Sequence, residues 1–297
     1  MNLTELLQHQ SDQKLAATIL TLADASAAIS QIIKTADVGK AGTQNDFGED
    51  QLALDVQADN VIFDALRKAG TVATASSEEQ ASAVSLNEGG QFAVAFDPLD
   101  GSSLVDVNLA VGTIWGIWPG AELIGRTGAE QVAAGYAVYG PRTTFVLAID
   151  DAVSEFTLQA DSSWLQTAAN LQIGEGKLFA PGNLRAAADN AGYRKLVDFW
   201  QSEGYTLRYS GGMVPDINQI LLKGKGVFSY PGSEAAPAKL RLLYECAPLA
   251  KVIEAAGGAS SDGSQSILQL KTEAFDQRVP VCLGSKDEVK RFEEICG

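Results

Sequence analysis

Two short apolar runs, each followed at once by acidic residues, constrain this chain more than any other feature. The first, Thr71 to Ala75, leads into Ser77-Glu78-Glu79, and the second leads into Phe96-Asp97-Pro98-Leu99-Asp100-Gly101-Ser102-Ser103. Runs of this length and composition predict β-strands. The four carboxylates are therefore expected at strand ends, side by side in one sheet. Pro98 has no N–H to donate and is expected to close the second strand.

The residue types in these two segments suit a phosphate and its counter-ions. Carboxylates are the usual ligands of hard divalent cations, and the turn Gly101-Ser102-Ser103 offers backbone N–H groups beside them, which bind anions. A lone Ser-Glu-Glu or Asp-Pro typically marks only a solvated turn or the start of a loop. The longer segment is far more specific than either dipeptide, and it favours a metal-assisted phosphate site.

Composition excludes several other chemistries. The 297 residues, 46% hydrophobic and 20% charged, predict a globular protein of one large or two ordinary domains. A formal net charge of −15 disfavours nonspecific nucleic-acid binding and anionic membranes. His9 is the single histidine, so histidine-dependent nucleophilic catalysis and His-rich zinc sites are not expected. Carboxylates with Mg²⁺, or with Mn²⁺, are the chemistry that remains.

Cysteine usage and the N-terminal residues bear on the cellular compartment. Cys246, Cys282 and Cys296 are widely spaced and form no Cys-x-x-Cys pair, which is typical of a reducing compartment. No apolar run is expected to reach the length of a membrane span, and the N-terminus carries acidic residues where leader peptides are basic. The expectation is a cytoplasmic protein, or one whose organelle leader has been removed.

Periodicity predicts that the beginning of the chain is mainly helical. Helix is predicted over residues 3–33, in one or two pieces, and again from Asp55 to Lys68. Between these helices, residues 39–48 are small, polar and rich in glycine, which predicts a loop. On this pattern alone, Asp55 is either a site residue or a simple helix cap.

The rest of the chain divides where the pattern changes. Strands dominate up to residue 159, and the last of them is expected to be more exposed, whereas strands and helices alternate beyond residue 170. We therefore expect two domains: residues 1–170, with the N-terminal helices and a metal-binding sheet, and residues 171–297, with an α/β pattern. A capping box formed by Ser285 and Glu288 is predicted to begin the last helix.

The second half carries side chains that suit phosphate oxygens. Arg and Lys donate charged hydrogen bonds, and Tyr hydroxyls and an Asn amide donate neutral ones. Each short segment alone also fits a turn, a strand end or a charged helix flank. The candidate residues are Asn183, Arg185, Arg208, Tyr209, Gly211, Met213, Tyr230, Lys239 and Arg241.

Glu245 stands in an otherwise apolar run from Leu242 to Pro248. Burying a carboxylate without a cation is costly, so Glu245 is a candidate for a further metal ligand. Pairing with Arg241, one helical turn earlier, is the alternative.

Four segments, taken in order, resemble the class I fructose-1,6-bisphosphatase and sedoheptulose-1,7-bisphosphatase family over nearly the whole chain. They are Ser-Glu-Glu at 77–79, Phe-Asp-Pro-Leu-Asp-Gly-Ser-Ser at 96–103, Arg-Tyr-Ser-Gly-Gly-Met-Val at 208–214 and Ala-Lys-Leu-Arg-Leu-Leu-Tyr-Glu-Cys-Ala-Pro at 238–248. The second segment alone also resembles the wider group of lithium-sensitive phosphatases, which includes inositol monophosphatases. Tyr244-Glu245 narrows the resemblance to sugar bisphosphatases.

This resemblance implies an α/β (α+β) fold, a layered αβαβα sandwich, and Mg²⁺-dependent hydrolysis of a sugar 1-phosphate. Asp55 and Glu79 match the pair that positions and deprotonates the attacking water, with Asp97 and Asp100 as further catalytic acids. The implied metal ligands are Glu78, Asp97, the carbonyl of Leu99, Asp100, Glu245 and Glu49, with Asp50 replacing Glu49 if the loop shifts.

The resemblance also implies how a sugar bisphosphate is held. Gly101, Ser102 and Ser103 match the group that holds the reacting phosphate. The matches for contacts to the far phosphate and the sugar, which the second domain would bind, are Asn183, Tyr209, Tyr230 and Lys239. Arg208 matches an arginine that reaches across a subunit interface, which implies a homodimer or homotetramer.

Two segments resemble the sedoheptulose branch of the family more closely: Gly-Asn-Leu-Arg-Ala at 182–186 and Gly-Gly-Met-Val-Pro-Asp at 211–216. Fructose enzymes have a phosphate-binding Tyr shortly after the Asn, where this chain has Ala186 with Arg185 beside it. We therefore expect sedoheptulose 1,7-bisphosphate as substrate, with fructose 1,6-bisphosphate or dual use as the near alternative. A non-catalytic sugar-phosphate-binding relative is the alternative of another class, but carboxylates kept together without metals repel one another.

Overall fold

The computed structural model describes residues 1–35 and 53–297 in full, and the backbone of residues 40–44 and 50–52. Within these ranges the helices are α1 (Leu3–Gln8), α2 (Gln13–Thr35), α3 (Ala53–Ala69), α4 (Ala191–Ser202), α5 (Met213–Lys223), α6 (Ala247–Ala255) and α7 (Lys286–Cys296). The strands are β1 (Lys40–Gln44), β2 (Asp50–Leu52), β3 (Val72–Ser77), β4 (Val84–Ser85), β5 (Phe92–Asp100), β6 (Val111–Pro119), β7 (Ala133–Tyr139), β8 (Thr143–Ile149), β9 (Ala152–Leu158), β10 (Trp164–Ala168), β11 (Gly174–Pro181), β12 (Thr206–Leu207), β13 (Lys225–Tyr230), β14 (Ala259–Ser261) and β15 (Val281–Gly284).

Two sheets carry the fold. The large sheet has eight strands in the order β10-β9-β8-β7-β6-β5-β3-β4, and its neighbours are antiparallel except for the parallel pair β3 and β5. The small sheet has five strands in the order β12-β11-β13-β15-β14 and is mixed. Strands β1 and β2 form a separate antiparallel pair.

Helices and sheets stack in five layers. Helices α1, α2 and α3 pack on one face of the large sheet, α5 and α6 lie between its other face and the small sheet, and α4 and α7 cover the outer face of the small sheet. Strand β5 is buried at every position because both faces of its sheet are covered. The implied αβαβα order is confirmed. Because the middle helices pack on both sheets, the boundary near residue 170 stays a prediction.

The N-terminal helices match the sequence analysis closely. Helices α1 and α2 divide the predicted helix of residues 3–33, and α3 covers the second predicted helix. Asp55 lies in the first turn of α3, two residues after its start, so it is not the cap residue. The backbone of residues 40–44 forms a strand, so the loop predicted there is wrong. Residues 39 and 45–48 of that predicted loop lie outside the described residues.

Helix α2 is long and apolar enough to cross a membrane by length and composition, contrary to our expectation from the sequence. Half of its most apolar window is nevertheless buried inside the structure. Leu15, Ile19 and Leu22 of α2 belong to the core between the helices and the large sheet. Packing in this core accounts for the apolar character of α2, since core helices are apolar on their buried face.

Two strand predictions are wrong in an informative way. Strand β9, expected to be exposed, is buried from Val153 to Thr157 because β10 extends the sheet beyond it and helices cover its faces. Strand β5 continues past Pro98 to Asp100 and is not closed by the proline. The pairing of β5 with β6 shifts register between Asp97 and Asp100. Such irregular positions tolerate a residue without an N–H.

The capping box predicted at the start of α7 is also wrong. The Ser285 hydroxyl donates to the Gly174 carbonyl at 2.6 Å and accepts from the Gly226 N–H at 2.9 Å. These bonds tie the start of α7 to the small sheet. The Glu288 carboxylate, which is 3% exposed, turns away from the helix start to other partners.

Glu288→Ala is expected to lower the free energy of unfolding by about 2–4 kcal/mol. The carboxylate accepts the Trp200 indole N–H at 2.7 Å and the Tyr205 hydroxyl at 2.6 Å, and alanine would leave both donors unpaired. Urea unfolding measures the loss. Glu294→Ala on the same helix is the control: its side chain is 63% exposed, and its effect is expected to stay within about 0.5 kcal/mol. Equal losses in the two variants would contradict the role of Glu288.

Candidate active site

Neighbouring strands bring the predicted acids together. Strands β3 and β5 run parallel with Ser77 opposite Phe96, and the Glu78 N–H donates to the Phe96 carbonyl at 3.0 Å. Glu78 and Asp97 therefore leave the same edge of the sheet, as the sequence predicts. Glu245 reaches this edge from residues 242–246, a single π-helical turn before α6, a geometry often found at functional sites.

One carboxylate oxygen from each of Glu78, Asp97 and Glu245 lies within 4.8 Å of the others. Burial raises the pKa of Asp97 well above its usual value, and the charges of Glu78, Asp100 and Glu245 raise it further. Burial likewise raises the pKa of Glu245, with the charge of Glu78 as the next cause. Two buried acids and the partly buried Glu78 repel one another at this spacing when ionised. An all-carboxylate set this tight fits a hard divalent cation such as Mg²⁺ or Mn²⁺.

Arg241 provides positive charge beside these acids. It is 1% exposed, and its guanidinium forms an ion pair with the Glu78 carboxylate. Its backbone N–H donates to Oε2 of Glu245 at 2.6 Å. The alternative pairing of Glu245 with Arg241 is therefore present through the backbone, whereas the guanidinium pairs with Glu78. A contact of Arg241 with substrate stays a prediction.

Asp100 is turned towards the start of α5. Its carboxylate accepts the Val214 N–H at 2.7 Å and the Met213 N–H at 3.3 Å, which are among the N–H groups that a helix start leaves unpaired. Burial raises the pKa of Asp100 to about 7, and these two bonds oppose the rise. Gly112 lies opposite Asp100 on β6. A Cβ on Gly112 would lie 2.4 Å from Cγ1 of Val214, so the glycine allows α5 to approach.

The turn predicted to hold the reacting phosphate follows Asp100 directly. Gly101 has φ +75°, which favours glycine, and the 3₁₀ turn Ser102–Leu104 follows it with Ser103 exposed. The first N–H groups of such a turn have no partner within it. A Cβ on Gly101 would lie 3.3 Å from Cα of Gly212. Gly211 beside it has φ +104°. The two glycine-containing loops are thus neighbours, as a shared anion site requires.

Two other predicted acids lie in α3 and in the turn after β3. Asp55 is 4% exposed in the first turn of α3, and Glu79 is half-buried in the turn after β3. The Leu99 N–H donates to Oδ1 of Asp97 at 2.9 Å, which holds that carboxylate. The assigned roles of Asp55, Glu79 and the Leu99 carbonyl stay predictions. Glu49 lies outside the described residues, as does the side chain of Asp50.

Arg185, Tyr209 and Tyr230 form a second group near the acids. Burial raises the pKa of Tyr230, the neighbouring Arg185 guanidinium lowers it, and the Glu245 carboxylate raises it. Burial and the charge of Asp216 raise the pKa of Tyr209, and the same guanidinium lowers it. The Tyr209 hydroxyl donates to the Gly182 carbonyl at 3.2 Å. A cation and two hydroxyls thus lie within electrostatic reach of the acids.

Three further residues predicted to bind substrate or a second subunit are one buried amide and two exposed cations. Asn183 is 1% exposed, and its amide nitrogen donates to the carbonyls of Pro231 at 2.8 Å and Ala236 at 3.0 Å. This amide therefore orders the loop after β13. Lys239 and Arg208 are exposed, and the Arg208 guanidinium donates to the carbonyl of the preceding residue at 3.1 Å. Their contacts with substrate or with a second subunit stay predictions.

Two buried acids in this region were missed. Asp59 is 7% exposed and follows Asp55 by one helical turn, a spacing that places both on one face of α3. Asp216 is 2% exposed and accepts the Ser210 N–H at 2.8 Å, and burial raises its pKa to about 6. Asp59 could have been found from its spacing of one helical turn from Asp55. Asp216 could have been found because it is an acidic residue in the first turn of a predicted helix that follows two glycines.

Comparison with known proteins identifies the family to which the chain belongs. The family model for the N-terminal domain of fructose-1-6-bisphosphatase matches residues 3–169, and the model for its C-terminal domain matches residues 173–297. The chain belongs to the fructose-1,6-bisphosphatase family.

Relatives named as sedoheptulose-1,7-bisphosphatases and relatives named as fructose-1,6-bisphosphatases both align with this chain. The chain is 49% identical to chloroplastic sedoheptulose-1,7-bisphosphatase of Triticum aestivum, over 95% of this chain and 73% of that protein. It is 43% identical to class 1 fructose-1,6-bisphosphatase of Geotalea uraniireducens, over 98% of this chain and 95% of that protein. A crystal structure assigned to a sedoheptulose-1,7 bisphosphatase of Toxoplasma gondii superimposes with a TM-score of 0.94 at 39% identity, covering 99% of this chain and 98% of that one.

The named members of the fructose-1,6-bisphosphatase family are thus sugar bisphosphatases. The chain is accordingly a phosphoric monoester hydrolase of this type. The resemblance of the four sequence segments is confirmed, and so is the expected fold.

Proposed function

We propose that this protein is a metal-dependent sugar bisphosphatase that removes the 1-phosphate of sedoheptulose 1,7-bisphosphate. The observation that carries the proposal is the convergence of Glu78, Asp97 and Glu245 within 4.8 Å, next to the turn at Gly101. A negative ligand can bind among buried acids only with cations between them. Bound Mg²⁺ or Mn²⁺ supplies the positive charge that stabilises the transferring phosphoryl group.

The chain's own residues divide the remaining work. Glu78, Asp97, Asp100 and Glu245, with the Leu99 carbonyl, are assigned to hold the cations. Asp55 and Glu79 are assigned to orient the attacking water and to accept its proton. Carboxylates suit this task in a chain with a single histidine, because an ionised carboxylate can accept the proton of the attacking water.

Two anion-binding groups orient the substrate. The N–H groups of the Gly101–Ser103 turn are assigned to donate to the reacting phosphate. Arg185, Tyr209 and Tyr230, with Lys239 beyond them, are assigned to the far phosphate. Binding energy from the far phosphate fixes the position of the reacting one, and correct positioning accounts for a large share of phosphoryl-transfer catalysis.

The preference for the seven-carbon sugar rests on one position and one comparison. Ala186 is fully buried among the residues that pack α4 on the small sheet, so it offers no group to a phosphate. The neighbouring Arg185 is exposed, and its charge lowers the pKa of Tyr230. Identity is 49% with the wheat sedoheptulose enzyme and 43% with the Geotalea fructose enzyme. Hydrolysis of fructose 1,6-bisphosphate is the second candidate, because both branches align over almost the whole chain.

Phosphate release from each sugar bisphosphate at one Mg²⁺ concentration tests this proposal. We expect kcat/KM to be higher for sedoheptulose 1,7-bisphosphate, and Arg185→Ala to raise KM about tenfold or more by removing a charged phosphate contact. Lys195→Ala, which removes an exposed charge on α4, is the control and should leave KM unchanged. A preference for the fructose substrate above about tenfold would reverse the assignment. Absence of hydrolysis with either sugar would favour a binding protein.

A further inference from the structure

We propose that Thr113 is a positioning residue, whose buried hydroxyl fixes a β-bulge that turns Asp97 and Asp100 towards the same side of the large sheet. This inference rests on the proposed function, since it concerns the strand that carries two of the assigned metal ligands. Thr113 itself is assigned no contact with substrate or cation.

The bulge lies in β5, where its register with β6 shifts. Two residue pairs flank the shift: Asp97 with Ile114, and Asp100 with Gly112. Between these pairs, residues 98 and 99 of β5 oppose a single residue of β6, Thr113. Two residues opposite one is the pattern of a β-bulge, which re-aims side chains and is often found next to active sites.

This bulge determines which way the two aspartates point. Side chains alternate along a regular strand, so residues three positions apart point to opposite faces. Ile114 and Gly112 are two positions apart on β6 and share a face, and directly paired residues lie on the same side of a sheet. Asp97 and Asp100 therefore share the face of Ile114, which α5 and α6 cover. The bonds of the Asp100 carboxylate to the start of α5 agree with this placement.

The Thr113 hydroxyl holds the bulge from the opposite face of the sheet. It donates to the Pro98 carbonyl at 2.8 Å, and its oxygen lies 2.7 Å from the Tyr139 hydroxyl oxygen. A hydroxyl has one hydrogen and a carbonyl can only accept, so Tyr139 is the donor in the second bond. Both side chains are buried. Removing the Thr113 hydroxyl therefore takes this donor from the Pro98 carbonyl and this acceptor from Tyr139, which is costly in a buried position.

The bulge is also tied to one of the acids. The Leu99 N–H donates to Oδ1 of Asp97 at 2.9 Å, so bonds from two sides restrain the same two-residue segment. A shift of the bulge would move the Asp97 carboxylate, the Leu99 carbonyl and the Asp100 carboxylate together. All three groups are assigned to hold cations. Loss of a group that orients metal ligands typically lowers metal affinity or activity about 10- to 100-fold.

Thr113→Val is the informative substitution, because valine has the shape of threonine but lacks the hydroxyl. We expect the Kd of Mg²⁺, measured from the rise of Tm with Mg²⁺ concentration, to increase at least about tenfold. Thr113→Ser keeps the hydroxyl and should stay within about threefold of the wild-type Kd. Thr144→Val is the matched control: it changes a buried threonine on β8, two strands away, and should leave the Kd unchanged.

Hydrogen exchange separates a change of the bulge from a general loss of stability, and it needs no enzymatic activity. In metal-free protein, exchange at the Leu99 amide should be at least about fivefold faster in Thr113→Val than in wild type. Exchange at Val146, which is buried in β8, should stay unchanged. A role in stability alone would accelerate exchange at both amides by the same factor and leave the Kd of Mg²⁺ unchanged.

Three results would overturn the inference. They are a wild-type Kd of Mg²⁺ in Thr113→Val, a Kd in Thr113→Ser as weak as that in Thr113→Val, and exchange at Leu99 that accelerates no more than exchange at Val146. Failure of the proposed function has a different outcome: wild-type protein would hydrolyse neither sugar bisphosphate, or Asp97→Asn would remain active. An inactive Asp97→Asn beside a Thr113→Val variant with wild-type Mg²⁺ affinity would refute the positioning role alone.

Discussion

Asp97→Asn is expected to lower kcat at least about 10³-fold with Mg²⁺ present. Asp97 lies at the centre of the acid group, within 4.8 Å of ligand atoms of Glu78 and Glu245. Asparagine has nearly the same shape and can still accept the Leu99 N–H that the carboxylate accepts. The substitution therefore removes one negative charge with little change of packing. Steady-state phosphate release with saturating sugar bisphosphate measures the effect.

Asp106→Asn is the matched control for this experiment. Asp106 lies nine residues further along the chain and is exposed, so its substitution changes the net charge equally without touching the acid group. We expect its kcat to stay within about twofold of wild type, as is usual for surface substitutions. The proposed mechanism would lose its support if Asp97→Asn retained more than about a tenth of wild-type kcat.

The second large effect concerns the stability of the metal-free protein, which is expected to fall as pH rises from 5.5 to 8. Burial raises the pKa of Asp100 to about 7, and the unfolded chain has a value of about 4. The folded state thus binds this proton more tightly, and the stabilisation is complete below about pH 4 and lost by about pH 7. The raised pKa values of Asp97 and Glu245 act in the same direction.

The size of this change follows from linkage. Between pH 5.5 and 7, Asp100 alone accounts for about 2 kcal/mol, which corresponds to a fall in Tm of about 4–8 °C for a chain of this size. Adding Mg²⁺ at 100 times its Kd should recover about 2.7 kcal/mol at pH 8. At pH 5.5 the gain should be smaller, because protons compete for the same carboxylates.

Thermal unfolding with EDTA and with Mg²⁺, at both pH values, measures these changes. Asp97→Asn should weaken both the pH dependence and the Mg²⁺ effect, because it removes one of the repelling charges. A Tm that is constant or rises between pH 5.5 and 8 in EDTA would show that the acids are not destabilising. A Mg²⁺ effect of equal size at both pH values would show that cations bind elsewhere.

The acid group could be predicted because its information is local. An apolar run followed by acids marks a strand end, and two such strands pair in one sheet, which places Glu78 beside Asp97. The addition of Glu245 could be predicted from the cost of burying a carboxylate in an apolar run. In these cases each acidic residue and its immediate neighbours in sequence already determine where the carboxylate lies.

What could not be predicted depends on partners distant in sequence. The guanidinium of Arg241 pairs with Glu78, 163 residues away, and Asp100 binds the start of α5, more than 110 residues away. Ser285 and Glu288 match a local capping pattern, but buried donors from other elements bind both side chains. Local rules fail where tertiary partners offer better hydrogen bonds than the helix itself.

The middle layer of helices makes the two halves of the chain depend on each other for their packing, which restricts how the gene can recombine. Helices α5 and α6 come from the second half of the sequence, yet they cover Ile114, Tyr136 and Val146 on the large sheet of the first half. A gene fragment ending near residue 170 would encode a sheet with one apolar face exposed to solvent. If recombination exchanges the halves of two distant relatives, the apolar surface of α5 and α6 must still fit the large sheet. The two halves are therefore expected to be inherited together.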